Sequence, residues 1–335
     1  MNWLLKCPVI LIVSTDSIDL RAWLKQYATR RYGAFSPATQ KAWMLLLEGP
    51  YRQGTNGTEK SSIVAARPAL DVKKSGPNAG LEIPYDPALI IRAQSLLLED
   101  ADKLSASRPY RFDLVDVQRQ MMTNLGQLIH RKAAEAFRSK DREAFTLHSG
   151  RFLGMLADMD TLLRTRSEYS FDRWLTEARS WGETEEEKNQ MERDATSLVT
   201  IWGADGDPRI FDYSWREWAG LINGYYLPRW QKFYTMLQQH LDEGTSYEEA
   251  GLPQIYGREA FRANDFYHTL AEWELSYVDT YGKARIPATE GDEVDIVKRL
   301  FKKYFKLSQE YYTDSIKLIK PSRDERTYEN LGEDL

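Results

Sequence analysis

Apolar residues recur at three- and four-residue spacing along almost the whole of this chain, and patterns that alternate at every second residue are nearly absent. That regularity restricts the fold to packed helices, because a half-buried strand needs the alternation that is missing. Asp19 to Tyr32 carries Leu20, Trp23, Leu24 and Tyr27 on one face, with Ile18 or Asp19 as cap and Gly33 as stop. Ser36 followed by Pro37 opens a second helix, an N-cap with proline in the first turn, and Gly49 with Pro50 ends it. Further helices are predicted from Pro87 to Leu98, from Phe112 to Phe137, and from an Asp141 cap through Leu163. Ser167 or Ser170 opens the next, which carries Phe171, Trp174 and Leu175. Thr184 with Glu185 to Glu187 gives an acidic first turn for a helix predicted to run to Trp202. A pattern resuming near Ser214 reaches His240 with Pro228 inside it, where the missing donor predicts a kink. Asn264 to Val278, with Phe266, Leu270, Trp273 and Tyr277 inward, and Asp292 to Tyr312 complete the series.

The expected fold is therefore all-α, a multi-helix bundle-like domain over residues 19–320 joined by short breaks, with an irregular insertion at 51–82. Within the insertion, Ile63 to Leu70 reads as a short extended apolar piece interrupted by Arg67 and Pro68. An arginine embedded there calls for a partner, either in a clasp on a surface loop or in a polar contact at the rim of a site. Residues 1–18 form an atypical arm, whose apolar run from Pro8 to Val13 reads as a strand or hydrophobic arm rather than a signal peptide. Residues 321–335 form a charged tail.

Charge and ligand types narrow the function classes. A formal net charge of -5 gives no general attraction for nucleic acid or an anionic membrane, and no run reaches the length needed to span a bilayer. Cys7 is the single cysteine, and His130, His148, His240 and His268 lie far apart, so no metal and no cofactor are expected. No glycine-rich loop follows a strand, and no nucleophile elbow, HExxH or CxxC motif is present.

The helical pattern breaks most informatively between Ser197 and Trp230, a stretch that holds four of the ten Trp (Trp202, Trp215, Trp218 and Trp230) and three Tyr. A helix end runs into Gly203 and Gly206, and Asp207 and Pro208 follow. Trp202 and Tyr213 border this break; an aromatic face suits the C–H face of a sugar ring, and a phenol supplies orientation. Trp215, Trp218, Tyr225, Tyr226 and Trp230 fall at helical positions and are assigned to packing. Asp205, Asp207, Asp212 and Glu217 are the nearby candidates for acid–base work. Asp207 also reads as a turn residue and Asp212 as an N-cap or first-turn acid.

At this stretch the chain resembles the C-terminal all-helical domain of the α-N-acetylglucosaminidases, the glycoside hydrolase family whose lysosomal member degrades heparan sulfate. The resemblance rests on DLRAWLKQYATRRYG at 19–33, ARPAL at 66–70, YRFDLVDVQRQ at 110–120, TIWG at 200–203, IFDYSWREWAGLINGYYLPRW at 210–230 and DIVKRLFKKYF at 295–305. It covers nearly the whole chain from about residue 19. It implies an exo-acting, retaining hydrolase of terminal α-linked N-acetylglucosamine in which this domain packs on a catalytic (β/α)-barrel and lends a pocket wall. It also implies that the two catalytic glutamates belong to the barrel, and that Trp202, Ile210 and Tyr213 match pocket-lining residues. Arg67 matches the arginine of a shared ARP motif whose role stays open.

Hydrolysis needs a positioned acid and a positioned nucleophile, so the chain alone is predicted to be inactive, with catalytic residues of its own: none. Its expected partners are a barrel, in cis in a longer protein or in trans, and an N-acetylglucosamine-containing glycan. That reading predicts an apolar surface bordered by Trp202 and Tyr213. Relatives of full length are exported or lysosomal. The alternatives are a free-standing carbohydrate-binding or scaffold module, and an independent enzyme using Asp205 and Asp212.

Overall fold

The computed structural model describes residues 19–51, 61–76, 79–202, 211–247, 265–280, 282–283 and 289–312. Ile210, Asp205 and Asp207, the arm 1–18 and the tail 321–335 lie outside the described residues. Among those described, the chain forms eleven α-helices and one two-stranded sheet, an all-α architecture. The helices are α1 (Leu20–Tyr32), α2 (Pro37–Glu48), α3 (Pro87–Glu99), α4 (Ala101–Leu104), α5 (Arg108–Arg138), α6 (Arg142–Leu163), α7 (Phe171–Arg179), α8 (Glu185–Leu198), α9 (Leu227–Glu243), α10 (Asp265–Val278) and α11 (Glu293–Tyr311).

Their starts follow from local chemistry. Side chains of Asp19, Ser36, Asp86, Asp141, Ser170 and Asp292 each accept a hydrogen bond from a backbone N–H in the first turn that follows, satisfying donors that the helix cannot use internally. Thr184 and Glu187 form a reciprocal capping box at the head of α8. Gly33 and Gly244 end α1 and α9 in the left-handed conformation, at φ 82° and 71°.

The long helices α5 and α6 pack against each other and form the spine. Helices α3 and α11 flank α5, and α9 lies on α6. Between α5, α6 and α9 the interior is aromatic: Phe152 and His130 sit 4.7 and 4.9 Å from the Trp230 ring, both at 63°, the edge-to-face geometry that aromatic quadrupoles favour. All three are buried.

The irregular insertion differs from its sequence reading. Ile63 to Ala65 form a turn with a bend at Ala66, so Ile63 to Leu70 is not one extended piece, and it is buried inside the domain rather than lying on the surface. Its carbonyls are satisfied by long side chains from the helices around it. The Arg229 guanidinium donates to the Ala65 oxygen at 2.8 Å, the Trp230 indole to Val64 at 3.3 Å, and the Tyr267 hydroxyl to Pro68 at 3.0 Å. The insertion ends in strands β1 (Lys74–Ser75) and β2 (Ala79–Gly80), paired antiparallel.

Two boundaries near the aromatic break are also corrected. Helix α8 ends at Leu198, short of Trp202. The next helical stretch starts near Leu221 rather than at Ser214, because Ala219 is held in a short parallel bridge with Ser170. Its N–H donates to the Tyr169 oxygen at 2.8 Å, and its carbonyl accepts the Phe171 N–H at 3.0 Å. Asp160 of α6 then caps the new helix from a distance, accepting the N–H groups of Gly220 and Asn223 at 2.7 and 3.2 Å. The first turn, Ile222–Tyr226, is π-helical, and the Leu227 N–H donates back to Ile222. Pro228 follows at the point where its missing donor is absorbed by that wider turn. The sequence-predicted irregularity is thus a π-bulge. In α10 the fully buried positions are Tyr267, Leu270, Ala271, Glu274 and Val278, while Phe266, Trp273 and Tyr277 are half-buried against the core.

No helix among the described residues is long and apolar enough to cross a membrane.

Candidate functional site

The site is built where the end of α8 meets the segment leading into the π-turn. Trp202 closes the α8 end with its N–H donated to Ser197 at 2.8 Å, and the Asp212 N–H donates to the Thr200 carbonyl at 2.6 Å. Trp202 and Asp212 are both in the left-handed region, at φ 42° and 56°. Non-glycine residues there are strained by about 1–3 kcal/mol and persist only when their surroundings hold them.

What holds Asp212 is a buried group of four charges. One Arg229 nitrogen contacts both Asp212 oxygens, at 3.2 and 2.9 Å, and also Glu274 at 2.9 Å. Arg67 grips the same glutamate through two nitrogens, at 3.2 and 2.9 Å. All four side chains are buried, and the two cations offset the two anions. The guanidinium planes also lie on aromatic rings: Arg67 is 4.3 Å from the Phe211 centroid, and Arg229 is 4.5 and 5.2 Å from those of Tyr225 and Tyr226. Residues 211 and 212 are therefore anchored from below, one by stacking and one by ion pairing. Gly76 closes the other side, at φ 68°. A Cβ at that position would lie 2.8 Å from the Asp212 carbonyl oxygen, so only glycine fits.

Tyr213 rises from this anchor into solvent. Its side chain is 45% exposed, and its ring lies 4.9 Å from that of the half-buried Trp202, tilted by 48°. The structure thus brings together two of the three sequence-predicted contact residues. The third, Ile210, lies outside the described residues.

The sequence reading of Asp212 as a helix N-cap is overturned: no helix starts there, and the carboxylate faces Arg229 inside the protein. Burial pushes its pKa up to about 6, with Arg229 opposing and Glu274 adding to the push. Sealed from solvent with both oxygens engaged, it is out of reach of a substrate proton. Glu217 is likewise committed, accepting from Ser62 at 2.5 Å, from Thr123 at 2.7 Å, and from Arg119. Asp205 and Asp207 lie outside the described residues. The described part of the site offers aromatic contact and hydrogen-bond orientation.

Arg67 finds the partner its setting called for, but in the interior and not in a surface clasp. Sequence reasoning missed Arg229 and Glu274. The available signal was a charged residue inside an apolar stripe: Glu274 stands in register with Tyr267, Leu270, Ala271 and Val278, and Arg229 lies between Tyr226 and Trp230.

Comparison with known proteins identifies the family and the fold. The family described as "Alpha-N-acetylglucosaminidase (NAGLU) C-terminal domain" matches residues 23–303. The Homo sapiens Alpha-N-acetylglucosaminidase is 31% identical over 293 residues, covering 86% of this chain and 36% of that protein; the chain thus spans about a third of the length of this curated relative. A solved Family 89 Glycoside Hydrolase from Clostridium perfringens in complex with 2-acetamido-1,2-dideoxynojirmycin superposes with a TM-score of 0.75 at 25% identity, covering 92% of this chain and 33% of that one. A Clostridium perfringens enzyme in complex with its substrate GlcNAc-alpha-1,4-galactose gives a TM-score of 0.76 at 26% identity, covering 89% and 33%.

Proposed function

This chain belongs to the alpha-N-acetylglucosaminidase C-terminal domain family, and from that premise we propose that it is the helical domain of an exo-acting, retaining α-N-acetylglucosaminidase. In this reading it packs on a catalytic (β/α)-barrel, in cis or in trans, and lends one wall of the pocket for terminal α-linked N-acetylglucosamine. Trp202, Ile210 and Tyr213 are the contact residues. The two carboxylates that carry out the displacement belong to the barrel.

The observation that carries this reading is the exposed Tyr213 ring beside Trp202, mounted on a backbone pinned by four buried charges. A rigid aromatic pair aimed outward is what a sugar wall requires, because loose supports forfeit orientation. Leu198, four residues before Trp202, is exposed, as is Met191 two turns earlier on the same face of α8, and these two side chains favour docking of an apolar surface there.

Purified chain is expected to show no turnover of an aryl α-N-acetylglucosaminide, and a separately produced barrel of the family is expected to restore it. In the reassembled enzyme Trp202→Ala and Tyr213→Ala each lower kcat/KM about tenfold, the scale of one lost aromatic contact. Saturable hydrolysis by the chain on its own would remove the basis for this assignment.

A further inference from the structure

The segment that carries Tyr213 also carries Trp215, and Trp215 forms part of the wall of a separate, half-open cavity of about 220 Å³ that neither Trp202 nor Tyr213 lines. The volume falls below the ~300–1,000 Å³ of sites for drug-sized ligands and suits a single ring. One face of α5 supplies the amides Gln120, Asn124 and Gln127, about one turn apart. The segment before α3 supplies Tyr85.

The hydrogen bonds around this cavity leave specific capacity unused. The Tyr85 oxygen accepts from Asn124 at 3.1 Å and from Gln120 at 3.4 Å. Its own proton has no acceptor among the described residues, and burial raises its pKa, so the phenol stays a donor. The Gln120 amide nitrogen also donates to Asn124 at 3.0 Å, which leaves its carbonyl oxygen as an open acceptor. The Gln127 side chain makes no hydrogen bond among the described residues. One donor, one acceptor and one amide that is both therefore belong to residues that line the same small space.

Arg119, Glu217 and the exposed Glu82 are the charged side chains of the lining, which is therefore net negative. Glu217 accepts from Arg119, Ser62 and Thr123, and Arg119 also donates to Asp116 at 3.0 and 2.9 Å. With that arginine neutralised, no cation is left over to hold an anion. No group of three or more acidic, histidine or cysteine side chains that could hold a metal ion occurs among the described residues. The ligand chemistry that matches an indole wall, an open donor, an open acceptor and no cation to spare for an anion is a ring with hydroxyls, since each hydroxyl both donates and accepts.

We propose that this cavity is a second glycan-contact site that seats one neutral pyranose unit, with Trp215 as its stacking face and Tyr85, Gln120 and Gln127 bonded to ring hydroxyls. It rests on the chemistry of the cavity and not on the assignment of Trp202 and Tyr213 as a pocket wall, so either can fail without the other.

The test is titration of the full chain with galactose and, separately, with N-acetylglucosamine, the two sugars of the substrate named for the Clostridium perfringens relative. Binding is read by saturation-transfer NMR and by the shifts of the tryptophan indole and glutamine amide protons. Saturable binding of at least one sugar is expected, with the Trp215 and Gln127 signals moving and the Trp202 signal still. Trp215→Ala weakens it about tenfold, the equivalent of one lost stacking face, and Trp215→Phe keeps most of it. Gln127→Ala, at a half-buried helix position that tolerates alanine, weakens it severalfold in a chain whose fold is intact. Trp202→Ala leaves it unchanged. Three results would each overturn the proposal: no saturable binding of either sugar, binding that survives both Trp215→Ala and Gln127→Ala, or binding abolished by Trp202→Ala, which would place the sugar on the wall.

Discussion

Between α5, α6 and α9 the interior is filled by Phe152, Trp230, Tyr234 and their neighbours, in regular helices. Under Tyr213 it is filled by Arg67, Asp212, Arg229 and Glu274, beside a π-turn and two non-glycine residues at positive φ. Both regions are fully buried. The aromatic one is held by area and shape, which fail gradually as atoms are removed. The ionic one is held by pairing, which fails abruptly, because removing one charge strands the others in a medium that penalises them. The ionic region is also the one that carries the exposed aromatic pair, so strain and charge are concentrated where orientation matters.

The sharpest way to break this contrast is to compare Arg229→Ala with Phe152→Ala by thermal unfolding across pH. Each is expected to cost about 3–5 kcal/mol near neutral pH. The arginine loss should shrink as pH falls towards 6, because the stranded Asp212, raised further without Arg229, takes up a proton while the wild-type carboxylate is still ionised, and should level off below 6, where both are protonated; the phenylalanine loss should stay level throughout. Equal pH responses would mean that the four charges are not acting as a unit.

A second comparison uses wild-type protonation. Burial pushes Asp212 up to about 6 and His130, in the aromatic core, down to about 4. The folded-state pKa of Asp212 lies above its unfolded value, so its contribution is fully present below about pH 4 and is lost as pH rises through 6. His130 has the opposite sign: its contribution is present above about 6.5 and is lost as pH falls towards 4. Displacements of this size are each worth about 3 kcal/mol. Subtracting the unfolding free energy of Asp212→Asn from that of the wild type should give a difference that falls with pH. The same subtraction with His130→Gln should give one that rises.

The smallest effects come from glycine. Gly76→Ala should destabilise by about 1–3 kcal/mol, through positive φ and collision with the Asp212 carbonyl, and should disturb the near-ultraviolet signal of the Trp202–Tyr213 pair. Gly154→Ala, exposed in α6 with open space around it, should stabilise by about 0.5–1 kcal/mol. If both substitutions shifted the melting temperature in the same direction, the packing assigned to the Gly76 turn would be wrong.

Much of the helical frame was legible. Asp19, Ser36, Asp141, Thr184 and Asp292 announce their helices because a cap bonds to a backbone group within three residues. The late start of the helix after Ser214 was not legible. It depends on Ala219 bridging to Ser170 and on Asp160 reaching across from α6. For the site, the residue types at Trp202 and Tyr213 suggested contact, but what supports them did not show: Arg67 meets a glutamate 207 positions away.

The sequence by itself determined the helices and their caps, which rest on periodicity and on contacts between near neighbours in the chain, and the family, which rests on the resemblance of motifs such as those at 19–33, 110–120 and 210–230. Only the tertiary structure decided which charged residues go inside, that Asp212 is an ion-pair anchor rather than a cap, and that Ile63 to Leu70 is interior. An ion pair forms wherever packing sets two side chains about 3 Å apart, and that placement is a property of how whole helices lie together, which no local pattern encodes.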